Sequence, residues 1–214
     1  MTDRLSLYNQ ALLLCGEGGL ASLTENREPR RLLDTAWDGG AVRFCLAKGM
    51  WIWATRTVQL DYDPSIEPDF GYKYAFDKPD DYIRTAGVGI DQYLDSPLTR
   101  YSDEVGYIWC DLQTIYMQYI SDDTGYGFNY AGWSDSFTNY VVAYLASLIV
   151  YRLTQSENKI VMVKKELKES YKDAITENGM NMPPRFIPQG RWASARKGRM
   201  GRGWTAGSID SFSG

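Results

Sequence analysis

The chain has 214 residues and a mass of 24.4 kDa, with 44% hydrophobic and 23% charged residues. This is enough for one globular domain with extensions. It contains no histidine, which excludes serine–histidine and cysteine–histidine catalysis, histidine-ligated zinc and histidine pH switching. Cys15, Cys45 and Cys110 are odd in number and lack CxxC spacing, so we expect no disulfide framework or cysteine zinc site, and a reducing compartment.

The net charge of −4 is unevenly distributed along the chain. Residues 61–123 hold 14 acids and 4 bases, whereas residues 181–214 hold 6 bases and one acid. The basic tail also contains three prolines and several glycines, so it cannot pack a core of its own and is expected to be extended. Its few aromatic residues lie among arginines, a pattern that favours docking on a partner.

Two helices are predicted near the N-terminus. Residues 3–15 show apolar residues at spacings of three and four and are followed by glycines that end a helix. The buried face predicted for this helix is Leu5, Tyr8, Leu12 and Cys15. A second helix is predicted from Pro29 to Lys48, with a kink or close backbone packing at Gly39–Gly40. Its predicted buried stripe is Leu33, Trp37 and Phe44.

A small antiparallel β-rich insertion follows the aromatic block Trp51-Ile52-Trp53. Runs of β-branched and aromatic residues predict strands at Thr55–Leu60, Tyr72–Phe76, Tyr82–Thr85, Tyr107–Cys110 and Thr114–Ile120. The last two strands are predicted to form a hairpin around Asp111. Clusters of Asp, Pro and Gly predict turns at Asp61–Asp69, Lys78–Asp81, Gly87–Asp91 and Asp95–Pro97.

Helical periodicity returns at Ser134, which can cap the next helix. The apolar face predicted for that helix is Phe137, Tyr140, Val141, Tyr144, Leu145, Leu148 and Tyr151. Thr154 and Glu157 fit a capping box, so a further helix can start there, with Asn178–Gly179 as its stop. Its predicted stripe is Ile160, Val163, Leu167, Tyr171 and Ala174. The apolar run Tyr140–Val150 is about half the length needed to span a bilayer.

These elements predict an α+β fold, in which a bundle of N-terminal and long C-terminal helices carries a small antiparallel β insertion and an extended C-terminal tail. The predicted segments are N-terminal helices at 1–54, an acidic β-rich insertion at 55–132, C-terminal helices at 133–180 and the basic tail at 181–214.

No nucleophile elbow, P-loop or kinase glycine loop is present in the sequence. The acidic residues after Leu60 lack EF-hand spacing, which favours solvated turns over cation binding. With 27 acids, no carboxylate pair for sugar hydrolysis is singled out. Cys110 lacks a histidine base and is interpreted as a packed strand residue. We therefore expect no enzyme activity, no cofactor and no metal.

The order of segments resembles the head-to-tail adaptor proteins of short-tailed bacteriophages, the tail tubular protein A family. The matching segments are Leu7-Tyr8-Asn9-Gln10-Ala11-Leu12, Leu20-Ala21-Ser22-Leu23, Trp51-Ile52-Trp53-Ala54, the strand–turn–strand Tyr72–Arg84, and Tyr144-Leu145-Ala146 with the break at Leu153-Thr154. The chain departs from the family at Asp77-Lys78, where a leucine usually precedes the Pro-Asp turn.

The resemblance implies a structural virion protein, synthesised in the host cytoplasm, that forms a twelve-subunit ring below the portal. Its implied partners are the portal protein, a tail nozzle protein of the tail tubular protein B type and, in some members, tail fibres, with genomic DNA passing through the ring without specific binding. The tail would bind the portal through Arg185, Phe186, Ile187, Arg191, Trp192, Arg196, Lys197, Arg199, Arg202 and Trp204. The acids expected to face the channel or nozzle are Asp61, Asp63, Glu67, Asp69, Asp122 and Asp123.

Two alternatives stay open at the level of sequence. One is a virion-associated cell-wall hydrolase, which needs two carboxylates about 5–9.5 Å apart in a cleft. The other is a nucleic-acid-binding protein that uses the basic tail to contact phosphates.

Overall fold

The computed structural model describes residues 3–68 and 71–182, and residues 1–181 form one compact unit. The predicted α+β fold is confirmed. Over the described residues the chain forms five α-helices: α1 Arg4–Cys15, α2 Glu28–Asp38, α3 Ala41–Ala47, α4 Asp135–Thr154 and α5 Glu157–Met180. The strands in the same ranges are β1 Thr55–Asp61, β2 Tyr74–Asp77, β3 Tyr82–Gly89, β4 Ser102–Asp103, β5 Tyr107–Cys110 and β6 Thr114–Ser121.

The first helix has the boundaries that its sequence predicts. The Asp3 carboxylate accepts a hydrogen bond from the Ser6 backbone N–H at 2.6 Å and caps the N-terminus. Gly16 ends the helix with φ of +74°, a left-handed conformation that glycine adopts without a steric penalty.

The predicted second helix is instead two helices. Gly40 has φ of +86° and separates α2 from α3. The break changes the helical phase, so α3 buries Ala41, Val42, Cys45 and Leu46. The prediction that Phe44 is buried is therefore wrong, since its side chain is 42% exposed. Leu33 is buried and Trp37 is partly buried, as predicted.

The fourth helix begins where predicted, with the Ser134 hydroxyl accepting from the Phe137 N–H at 3.3 Å. Because α1, α2, α3 and α5 all pack on α4, it is buried on several sides rather than on one stripe. Six residues outside the predicted face are also buried: Thr138, Val142, Ala143, Ala146, Ile149 and Val150. Leu148 and Tyr151 were predicted to be buried, but they are exposed.

The last helix starts at Glu157, as the sequence suggests, but the predicted capping box does not form. Thr154 is the final residue of α4 and donates its hydroxyl to the Val150 carbonyl at 2.8 Å. Gln155 turns the chain with φ of +48°. The predicted stripe of α5 is confirmed, because all five of its residues lie in or against the helical core.

The strands form two three-stranded antiparallel sheets, in the orders β1-β6-β3 and β2-β5-β4. The predicted hairpin around Asp111 is wrong, since β5 and β6 belong to different sheets. Ile108 and Cys110 of β5 and Ile115 and Met117 of β6 share one core, which the two sheets enclose. The chain therefore crosses between the sheets at 111–113 instead of pairing across a turn.

Two further details of the β part differ from the prediction. Gly87, Val88 and Gly89 lie in β3 and pair with β6, so the predicted turn at Gly87–Asp91 begins later. The sequence also gave no indication of the two-residue strand β4, because it is too short to show alternation.

Trp51 lies where the helices meet the sheets. Its side chain is fully buried, and its indole N–H lies within 3.2 Å of the carbonyl oxygens of Cys45 and Leu46. Its ring contacts Phe137 with a centroid distance of 4.7 Å. On the sheet side, Ile120 of β6 extends into the same helical core. The two cores are thus joined through β6.

Asn178 ties the end of α5 to this corner. Its side-chain amide accepts from the Ile52 N–H at 3.1 Å and donates to the Met50 carbonyl at 2.7 Å. The predicted stop at Asn178–Gly179 is wrong, because α5 continues through both residues to Met180.

Replacing Asn178 with alanine is expected to lower the free energy of unfolding by about 2 kcal/mol, because two partly buried backbone groups lose their partner. Urea denaturation measures the change, and Asn158→Ala, at an exposed position of α5, is the matched control. Equal effects of the two substitutions would contradict this role of Asn178.

Candidate functional site

The acidic candidates Asp61, Asp63 and Glu67 lie together in and beyond the end of β1. Asp61 accepts from the Thr114 hydroxyl at 2.8 Å, and Asp63 accepts from the Ser65 backbone N–H and hydroxyl at 2.8 and 2.7 Å. The hydroxyl and backbone hydrogen bonds of Ser65 hold the pKa of Asp63 below its ordinary value. Asp61 and Glu67 are exposed, and Asp63 is partly exposed. Asp69 lies outside the described residues.

Asp122 and Asp123 lie at the other end of the same sheet. Asp61 pairs with the first residue of β6 and Asp122 follows its last, so the two groups are separated by about 26 Å of strand. Asp122 forms an ion pair with Arg43 at 3.0 Å, and the Asp123 side chain accepts from the Gly125 N–H at 2.8 Å. The structure therefore places the acidic candidates in two groups, and one of them contains a neutralised carboxylate.

A polar cluster around Asp81 was not identified from the sequence. The Asp81 carboxylate accepts hydrogen bonds from Arg56 at 3.0 Å, from the Tyr119 hydroxyl at 2.9 Å and from the Ser121 hydroxyl. Partial burial acts to raise the pKa of Asp81, but these hydrogen bonds outweigh it, and the pKa lies below the ordinary value. The cluster joins β1, β6 and the turn before β3 into one end of the sheet.

The same end of the sheet is attached to α3. Arg43 pairs with Asp122 and donates to the Tyr82 carbonyl at 2.9 Å, while Arg84 donates to the Ala47 carbonyl at 3.3 Å. Asp122 also donates its backbone N–H to the Asp81 carbonyl at 3.0 Å. These contacts fix the sandwich on the helical bundle, and they give Asp81 and Asp122 structural roles.

The helical part presents an apolar surface that its own core does not cover. The Phe44 ring of α3 stacks on the Tyr144 ring of α4, with centroids 4.6 Å apart and an interplanar angle of 11°. Leu148 and Tyr151 continue this line one and two turns further along α4, and they are 47% and 72% exposed. We call Phe44, Tyr144, Leu148 and Tyr151 the α4 stripe. Aromatic and apolar side chains in this arrangement are typical of a protein-binding surface.

In residues 3–68 and 71–182, no group of three or more metal-binding side chains is placed to hold an ion. The carboxyls of Asp63, Asp81 and Asp91 have lowered pKa values, whereas a general acid for sugar hydrolysis needs a raised one. No helix in the described part of the chain is long and apolar enough to cross a bilayer.

All three cysteines are free and buried, and Cys110 is a packed strand residue as predicted. Burial raises the pKa of each thiol, and it raises that of Cys15 to about 11, with a further contribution from Glu17 that Lys159 opposes. High pKa values and burial make a thiol unreactive.

Every tail residue predicted to bind a partner lies outside the described residues. These are Arg185, Phe186, Ile187, Arg191, Trp192, Arg196, Lys197, Arg199, Arg202 and Trp204. Their assignment stays a prediction from sequence.

Comparisons with known proteins give no assignment. No protein-family model matches the chain, and a search of curated proteins finds no significant relative.

The Asp81 cluster predicts a pH-dependent contribution to stability. Asp81→Asn should lower the free energy of unfolding by about 2 kcal/mol at neutral pH, because charge-assisted hydrogen bonds are lost. Since the native pKa is depressed, this contribution is present above the unfolded-state pKa of about 3.9 and is lost as the pH falls through the native pKa.

The free energy of unfolding of the wild type and of Asp81→Asn should therefore be measured from about pH 7 to pH 3. The difference between the two values should narrow below about pH 4. Asp80→Asn, which removes the neighbouring exposed carboxylate, should show no such narrowing. If the difference in free energy of unfolding stayed constant over this pH range, the Asp81 charge would not be stabilising the fold.

The burial of the three cysteines predicts how they react with a thiol reagent. A thiol reagent at pH 8 should modify none of the three in the native protein and all three after unfolding, because burial and raised pKa values act together. Rapid modification of a native thiol would show that at least one of these sites opens.

Proposed function

We propose that this protein is a head-to-tail adaptor, a structural virion subunit whose ring joins the portal to the tail nozzle of a short-tailed bacteriophage. The observation that carries the proposal is the order of segments, from the N-terminal Leu-Tyr-Asn-Gln helix through the aromatic block and Pro-Asp turn to the long C-terminal helices. The fold supports it, because the resemblance implies a helical bundle with a β-rich part, and the described residues have this organisation.

The surface charge of the β part is compatible with a DNA conduit. A protein grips DNA by neutralising phosphates with Lys and Arg, so a channel through which DNA slides benefits from an excess of acids. Residues 61–123 carry 10 more acids than bases, and Asp61, Glu67 and Asp123 are exposed. In this proposal, part of the β region faces the channel or nozzle.

The α4 stripe is compatible with assembly into a ring. A closed ring repeats one heterologous contact around its axis, so each subunit needs an exposed surface for its neighbour. In the proposed virion, twelve copies lie below the portal, the tail reaches the portal, and the lower surface receives the nozzle protein and any fibres. The protein is assigned no catalytic residue and no cofactor.

The two alternatives gain no support from a particular contact. The hydrolase would need paired carboxylates in a cleft, and the acidic candidates lie in surface turns with hydroxyl, backbone or arginine partners. The nucleic-acid-binding alternative depends on the tail, which is outside the described residues. The experiment below also tests these two alternatives.

The proposal predicts that the purified chain binds the portal protein encoded in the same genome. Light scattering and negative-stain imaging of the mixture should show a ring stacked on the portal. The double variant Trp192→Ala and Trp204→Ala should weaken this association at least tenfold, because buried tryptophans dominate binding energy at interfaces. The matched control is Thr205→Ala with Ser208→Ala, which changes the same tail without removing an aromatic side chain.

Absence of any association between the wild-type chain and the portal would overturn the proposal. Clearing of peptidoglycan by the pure protein would then support the hydrolase, and salt-sensitive DNA retention on a filter would support the nucleic-acid-binding alternative.

A further inference from the structure

The exposed side of α5 is divided lengthwise into a basic part and an acidic part. Successive residues of a helix point about 100° apart, and the buried residues of α5 share one side. On the other side, four exposed lysines form what we call the basic arc: Lys164, Lys165, Lys168 and Lys172. Four carboxylate residues, three exposed and one partly buried, form the acidic arc: Glu166, Glu169, Asp173 and Glu177. The centres of the two arcs lie about 130° apart around the helix axis.

Two charged residues at the start of α5 depart from this division, and each has a local role. Glu157 lies in the first turn, where a carboxylate interacts favourably with the helix dipole. Lys159 donates to the Cys15 carbonyl at 2.9 Å and ties α5 to the end of α1. From residue 164 onward, every charged side chain of α5 belongs to one of the two arcs.

This separation of charge does not stabilise α5 itself. Like charges four residues apart destabilise an isolated helix, and opposite charges at that spacing stabilise it. One opposite-charge pair has this spacing in α5, Lys165 with Glu169, whose side chains are 3.8 Å apart. Four like-charge pairs have it: 164 with 168, 168 with 172, 169 with 173 and 173 with 177. The arrangement therefore favours a source of opposite charge outside the helix.

The two arcs are complementary turn by turn. Consecutive residues differ in height by about 1.5 Å along the axis, so a base and the acid that follows it lie at nearly the same level. Two α5 helices side by side, parallel and in register, would bring each such base to the acid of the same pair on the other helix. Val161 and Met162, which are 62% and 69% exposed, would meet in the same way one turn earlier. The three charged pairs are Lys165-Glu166, Lys168-Glu169 and Lys172-Asp173.

The residues beside α5 continue the two charges. The Tyr171 hydroxyl donates to the Lys48 carbonyl at 3.1 Å, so the exposed Lys48 borders the basic arc. On the other side, the Ser136 hydroxyl donates to Glu177, so the exposed Asp135 borders the acidic arc. Among the described residues, no ion pair joins either arc to another element. Both arcs are therefore available to a neighbouring molecule.

We infer that α5 is a subunit contact, in which the basic arc of one copy packs beside the acidic arc of a second copy, with the two helices parallel and in register. Because the two arcs differ, each copy meets one neighbour through its basic arc and another through its acidic arc. Such a contact is heterologous and repeats from copy to copy until a ring closes. The inference rests on the proposed function, for which it names the subunit contact.

Charge reversal in the full-length chain tests this contact. Lys168→Glu with Lys172→Glu reverses the basic arc, and Glu169→Lys with Asp173→Lys reverses the acidic arc. Sedimentation at low salt should show oligomers for the wild type and association weakened at least about tenfold for each variant alone, because like charges then face each other. An equimolar mixture should recover oligomers that contain both variants. The chain with all four substitutions should recover them too, since its arcs are exchanged and remain complementary.

A matched control separates this contact from the net charge. Lys73→Glu with Arg100→Glu changes the net charge by the same amount at two exposed positions of the β part, and it should leave the oligomers unchanged. A milder variant, Lys168→Gln with Lys172→Gln, should weaken association about threefold, because it removes attraction without adding repulsion. All substituted positions are exposed, so each variant should keep the wild-type circular dichroism and melting temperature.

Disulfide cross-linking tests the direction of the helices. In a parallel contact, Lys172→Cys with Asp173→Cys should link neighbouring copies under mild oxidation, because the two positions face each other across the contact. Lys172→Cys with Glu166→Cys should not, because these positions differ in height by about 9 Å. The native cysteines are buried and do not compete. Links through 172 and 166 instead would indicate antiparallel helices and overturn the inference.

Three further results would overturn it: a wild-type chain that stays monomeric at the highest attainable concentration, folded reversal variants that assemble like the wild type, or a mixture that does not recover. Failure of this contact is distinguishable from failure of the proposed function. Portal binding by wild type, together with reversal variants that still assemble, rejects only the contact. Wild-type oligomers that depend on the two arcs but do not bind the portal reject only the adaptor role.

Discussion

The arrangement of the whole molecule depends on the burial of α4. This helix starts at the Ser134 cap beside the aromatic corner of Trp51 and Phe137, and every other α-helix of the described chain packs on it. Burying a large apolar side chain contributes about 1.5–3 kcal/mol, and α4 buries seven of them: Phe137, Tyr140, Val141, Val142, Leu145, Ile149 and Val150. The two sheets are then held against this core by Ile120 and by two arginines, Arg43 of α3 and Arg84 of β3.

A central helix also determines what remains exposed. Four neighbouring helices pack on α4, but Leu148 and Tyr151 face outward, and the partly buried Tyr144 stacks on the exposed Phe44. A monomer gains nothing from exposing these side chains, whereas an assembly that covers them gains their burial. The same constraint that builds the core therefore leaves this apolar line exposed.

Much of the helical part could be predicted from sequence because its signals are local. Asp3, Gly16 and Ser134 act within their own helix ends, and the α5 stripe follows from its spacing alone. The exposure of Phe44, Leu148 and Tyr151 could not be predicted, because periodicity shows which residues share a face but not whether another helix covers it. The phase change at Gly40 also depends on its left-handed conformation, which glycine adopts without a steric penalty.

The β part and its polar cluster depend on contacts between distant residues. Tyr107–Cys110 and Thr114–Ser121 each alternate like strands, but alternation does not say whether consecutive strands pair or cross between sheets. Arg56, Asp81, Tyr119 and Ser121 are spread over 66 residues of sequence and meet only in the folded sheet. In the acidic region, the sequence indicated the charge excess, but not that Asp122 is paired with Arg43.

The central claim is that this chain forms the ring between portal and tail nozzle. Electron cryo-microscopy of virions produced from the genome that encodes the chain tests this proposal most directly. The account predicts density for the helical bundle and the two small sheets, repeated around the tail axis directly below the portal. A ring at that position built from a different fold, with this chain elsewhere or absent, would contradict it.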